Sequence, residues 1–81
     1  MYQLYTDHFY RHHIIRVRGG LNAKTDLWIP EFVVCWQQGS KTITKEVSLK
    51  IEFGTEQEAR DHALEFAKNW IDAGRPELPA S

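Results

Sequence analysis

From Thr42 to Phe53 the chain alternates. Ile43, Lys45, Val47, Leu49, Ile51 and Phe53 take one parity, and Thr42, Thr44, Glu46, Ser48, Lys50 and Glu52 the other. Period two with one apolar face predicts a half-buried strand. The run before it, LWIPEFVVCWQ, is dense in aromatic and β-branched residues, and Gly39-Ser40 between the two is a two-residue hairpin signal. With those two residues as the loop, Trp36 faces Ile43, Val34 faces Lys45, Phe32 faces Val47, Pro30 faces Leu49 and Trp28 faces Ile51. Four of these five pairs are apolar on both sides, and a slip of one residue would turn one strand over and lose the match. The expected sheet core is Trp28, Phe32, Val34, Trp36, Ile43, Val47, Leu49, Ile51 and Phe53, with the Lys45 stem along that face and its amine in water. Pro30 has no N–H to give a neighbour, so regular pairing is expected to begin near Glu31.

Upstream, HHIIRV predicts a further strand with Ile15 and Val17 inward, and Gly19-Gly20 then begins a polar connection to Asp26. The first ten residues hold Tyr2, Leu4, Tyr5, Phe9 and Tyr10, too apolar for a loose arm. They add a short strand or cover part of the sheet. Downstream the period changes. Thr55 and Glu58 have capping-box spacing. Ala59, His62, Ala63, Phe66, Ala67 and Trp70 then share one helical face, widened by Leu64 and Ile71, and Gly74 and Pro76 stop the helix. The pattern predicts an α+β fold, an antiparallel meander of three or four strands packed on one face by a single C-terminal helix. Trp70 and Phe66 are expected to dock on Trp28, Phe32 and Val47. Residues 1–76 make one domain, and 77–81 a flexible tail.

Composition narrows the class. At 81 residues, about 60% of the unfolded surface is buried, so each large side chain matters. One cysteine forms no internal disulfide, which suits a reducing compartment. No secretory pattern opens the chain and no apolar run approaches a bilayer span, so a cytoplasmic protein without membrane contact is expected. The net charge of −1 does not point to nucleic acid. Residues 11–52 hold seven Lys and Arg against four Asp and Glu, and residues 55–73 hold two against five. That is two solvated faces of opposite sign.

Candidate chemistry is sparse. Three of the four histidines lie in His8-Phe9-Tyr10-Arg11-His12-His13. On one continuous strand His12 and His13 point to opposite faces, and His8 and His12 stand ~13 Å apart, too far for one zinc. No metal or cofactor is expected. Cys35 falls opposite Thr44, beside Val33, in no electropositive setting that would activate a thiol. His62 sits on the apolar helix stripe. Glu58, Asp61 and Glu65 occupy the cap and polar flank. No nucleophile–base pair can be assembled, so no catalysis is expected.

The second face of the sheet is the candidate site. It collects Ile14, Arg16 and Arg18 from the first strand, Ile29, Val33 and Cys35 from the middle one, and Lys50 from the last. An apolar patch with a polar rim marks a contact surface. The expectation is an interaction module that binds a protein partner or itself through Ile14, Arg16, Arg18, Ile29, Val33 and Lys50. The runner-up is nucleic acid held by Arg16, Arg18 and Lys50, against which stand Glu46, Glu52 and the missing positive charge.

Phe53-x-Thr55-x-x-Glu58-Ala59, then Ala67-x-x-Trp70-Ile71-Asp72, with Trp28-x-Pro30-x-x-Val33 upstream, resembles small uncharacterised bacterial proteins of a sheet-then-helix type. The likeness covers about residues 10–74. Its motifs are core and cap residues, so it implies a compact α+β domain of βββα type and no established function. The outline is also similar to sheet-reading DNA-binding modules of the plant AP2 and integrase arm-binding kinds, a likeness of fold alone.

Overall fold

The computed structural model describes residues 6–76. Four strands, β1 (Thr6–Tyr10), β2 (His13–Asn22), β3 (Leu27–Gln38) and β4 (Lys41–Ser48), precede one helix, α1 (Glu56–Asp72). The strands form an antiparallel meander in sequence order. The fold is the α+β sheet-and-helix arrangement that the sequence pattern predicts, with the fourth strand drawn from the first ten residues. Tyr2, Leu4, Tyr5 and the tail 77–81 lie outside the described residues.

The β3–β4 hairpin turns at Gly39-Ser40, and Trp36–Ile43, Val34–Lys45 and Phe32–Val47 pair as expected. Gly39 takes φ 65°, the conformation that the first central position of a type II′ turn requires. The predicted register fails past Pro30. The Leu49 amide still donates to the Pro30 carbonyl at 2.9 Å. Pro30 has no N–H to return, and the ladder breaks there. It resumes with Trp28 opposite Phe53, each amide donating to the other's carbonyl at 2.8 Å. Residues 50–52 therefore oppose Ile29 alone, a bulge that takes the place of the expected Trp28–Ile51 pair. Ile51, expected in the core, is 43% exposed.

Two other expectations change. Gly19-Gly20 does not start a connection: β2 continues through both, pairing Gly19 with Pro30 and Gly20 with Ile29, and the turn falls at residues 23–26. The glycines serve close approach. A Cβ on Gly19 would lie 3.1 Å from the Glu56 carbonyl and 3.2 Å from the Ala59 Cβ. Regular pairing on the β2 side also starts earlier than Glu31, at Leu27.

The helix crosses β2 and β3. Ala59, Ala63 and Ala67 are fully buried, and their small size lets the helix settle close. Ile15, Val17, Phe32 and Val34 fill the space beneath, each contributing about 1.5–3 kcal/mol. Phe66 meets Phe32 at 5.8 Å between ring centroids. Trp70 does not dock on Trp28; it meets Trp36 edge-on at 6.1 Å, because it lies at the helix end over the β3–β4 turn. Thr55 caps the N-terminus by accepting from the Glu58 amide at 3.2 Å. Beyond Asp72, Gly74 at φ 90° lets the Gly74 and Arg75 amides donate to the Ile71 and Trp70 carbonyls at 3.0 and 2.9 Å, a Schellman closure.

Candidate functional site

Strand alternation sends Thr6, His8 and Tyr10 of β1 toward the helix side and Asp7 and Phe9 to the other. The register then lines up rows across the open face. Phe9 stands beside Ile14, Ile14 beside Cys35, and Cys35 beside Thr44; Asp7, Arg16, Val33 and Glu46 form the next row. Arg18, Glu31 and Ser48 follow, then Gly20 and Ile29. Phe9 is 82% exposed, while Ile14, Ile29, Val33 and Cys35 are half-buried.

Both arginines in these rows are paired with carboxylates. Arg16 Nε lies 3.3 Å from Asp7 Oδ1, and Arg18 Nε 2.6 Å from Glu31 Oε1. Ser48 Oγ donates to Glu31 Oε2 at 3.3 Å. Of the six residues expected to form the site, Ile14, Arg16, Arg18, Ile29 and Val33 come together. Lys50 does not join them by register: β4 ends at Ser48, and Lys50 lies in the bulge. Phe9 was legible only through the hairpin that aligns it, and that hairpin has no sequence signal. Its turn is Arg11-His12, at φ 47° and 66°, where Asn-Gly is the usual signature.

That turn also corrects the geometry expected for the histidines. HFYRHH is not one continuous strand; Tyr10 pairs with His13 across the turn. Among the described residues no three His, Cys, Asp or Glu side chains gather where an ion can be held. His8 and His13 lie on the helix side of the sheet with His62, which packs on Phe53 at 5.1 Å. Cys35 is on the other side, within 3.6 Å of Thr44 Oγ1.

The hairpin is fastened to the end of the helix. Tyr10 OH donates to Asp72 Oδ2 at 2.7 Å, and Arg11 Nε lies 2.9 Å from Asp72 Oδ1. The hydrogen bond to Tyr10, and after it the Asp72 carboxylate, hold the Arg11 guanidinium above its ordinary pKa. His13 is buried, with Nδ1 2.7 Å from the Arg11 carbonyl and Nε2 3.1 Å from Arg75 Nη1. The Arg75 guanidinium stacks 4.6 Å from the centroid of Trp36. Beside it opens a cleft of about 320 Å³ between Trp36, Lys45 and Gln38 of the β3–β4 hairpin and Trp70, Arg75 and Pro76 at the helix end.

No protein-family model matches the chain, and no curated protein or solved structure matches it. No helix among the described residues is long and apolar enough to cross a membrane.

Proposed function

We propose that the protein is a non-enzymatic interaction module that binds a protein surface, a second copy of itself or another chain, through the open face of its sheet. The observation that carries this reading is the exposure of Phe9 beside Ile14, with Val33 in the next row, on the face opposite the helix. A patch with an apolar centre and internally paired ions favours a partner that is itself apolar at its centre. Nucleic acid has less support. Arg16 and Arg18 each face a carboxylate, Glu46 shares the face, and Lys50 lies in the bulge beyond β4. The test is sedimentation velocity over a range of concentrations, with cross-linking in a cell extract, for the native chain and for Phe9→Lys/Val33→Lys. The expected result is an assembly or cross-linked partner that the double variant loses while its circular dichroism is unchanged. A monomer whose cross-links are the same in both proteins would end the proposal.

A further inference from the structure

We infer that the cleft between the β3–β4 hairpin and the C-terminal end of α1 binds a small aromatic carboxylate. It lies on the helix side of the molecule and is independent of the sheet face above. Its walls are flat and apolar: Trp36 and Trp70, edge to face at 6.1 Å, with Pro76 at the rim. Its volume of about 320 Å³ is at the lower end of the ~300–1,000 Å³ of small-molecule pockets, the scale of one or two rings.

The polar groups are unbalanced in one direction. Among the described residues the lining holds Lys45, Arg75 and the Gln38 amide, and no Asp or Glu. Three backbone carbonyls at this end already have donors. The Trp70 and Ile71 carbonyls accept from the Arg75 and Gly74 amides, and the Pro76 carbonyl accepts from Trp70 Nε1 at 2.7 Å. Asp72, at the end of α1, is turned toward Tyr10 and Arg11. The donors are left over. Among the described residues Lys45 has no ion-pair partner. Among the described residues the Arg75 guanidinium hydrogen-bonds to His13 and to no carboxylate. A carboxylate supplies an acceptor and the opposite charge to Lys45 and Arg75, and a ring joined to it extends the Trp36–Trp70 contact.

The site is tested on the full chain by ¹H–¹⁵N spectra during titration with benzoate, benzamide and inorganic phosphate. Benzoate is expected to shift the Trp36 and Trp70 indole resonances and the Arg75 resonances while leaving Trp28, at the far end of β3, in place. Benzamide, without the charge, and phosphate, without the ring, are expected to bind more weakly than benzoate. Lys45→Gln is expected to weaken benzoate roughly fivefold, the upper range for a solvent-facing ion pair, and Lys45→Gln/Arg75→Gln to abolish the shifts. Lys45 is exposed, so its variant folds and the comparison holds even where Arg75→Gln unsettles the helix end. The inference is overturned if benzoate moves none of these signals, if benzamide or phosphate matches it, or if Lys45→Gln binds as the native chain does.

Discussion

His13 Nε2 and Arg75 Nη1 meet at 3.1 Å across a sequence separation of 62 residues. A guanidinium can only donate, so Nε2 is the acceptor and the proton sits on Nδ1, which donates to the Arg11 carbonyl. ¹⁵N spectra should show His13 in the Nδ1–H tautomer. Arg75→Ala removes this bond and the stacking on Trp36, and should lower stability by about 1–2 kcal/mol in urea unfolding, with the Nδ1–H tautomer kept by the Arg11 carbonyl.

The hairpin before His13 turns through two non-glycine residues of positive φ. Left-handed backbone costs an L-residue roughly 1–2 kcal/mol. His12 is exposed, so His12→Gly should relieve strain without removing a contact and stabilise the protein by up to about 1 kcal/mol. The midpoint of urea unfolding checks this; a fall in the midpoint would show that His12 holds something that the backbone angle does not reveal.

Adjacent glycines in β2 should respond unequally. Gly19→Ala sets a methyl against the Glu56 backbone and the Ala59 side chain, and should destabilise by about 1–3 kcal/mol as the helix is pushed off the sheet. Gly20→Ala meets only the Glu31 carboxylate, the nearest atom at 2.8 Å. That side chain can swing, so the loss should be smaller, with its effect confined to the Arg18–Glu31 pair. Thermal unfolding of the two variants side by side is the measurement.

What was legible in the sequence followed from local chemistry. The alternation from Ile43 to Val47, the Gly39-Ser40 turn and the Thr55 cap each act over a few residues, and strand, hairpin and helix sit where they point. What was not legible depended on contacts made elsewhere. Gly19 resembles a turn residue until the helix above it is known. Ile51 follows the strand period, but Pro30 on the neighbouring strand ends the ladder before it. Arg11-His12 carries no turn signal, because Asp72 holds that hairpin from the other end of the chain. The open face was predicted in five of its six residues by parity alone, and Lys50 failed because parity does not survive a bulge.

Trp70 is 7% exposed, contacts Trp36 and ties Pro76 back to the helix. Trp70→Ala should cost about 3–5 kcal/mol, a large part of the stability of so small a domain. Trp70→Phe keeps most of the packing and loses the indole donor, so it should cost less. Guanidinium unfolding with both variants separates the packing from the bond to Pro76.

The Arg11-His12 turn has a further result for the molecule as a whole. A hairpin that bends against its own backbone preference is held by the helix end through Asp72 and Arg75. Phe9, at the open surface, belongs to that hairpin, and Arg75 belongs to the cleft. The residue that lines the cleft on one side of the sheet thus also fastens the strand pair that carries Phe9 on the other.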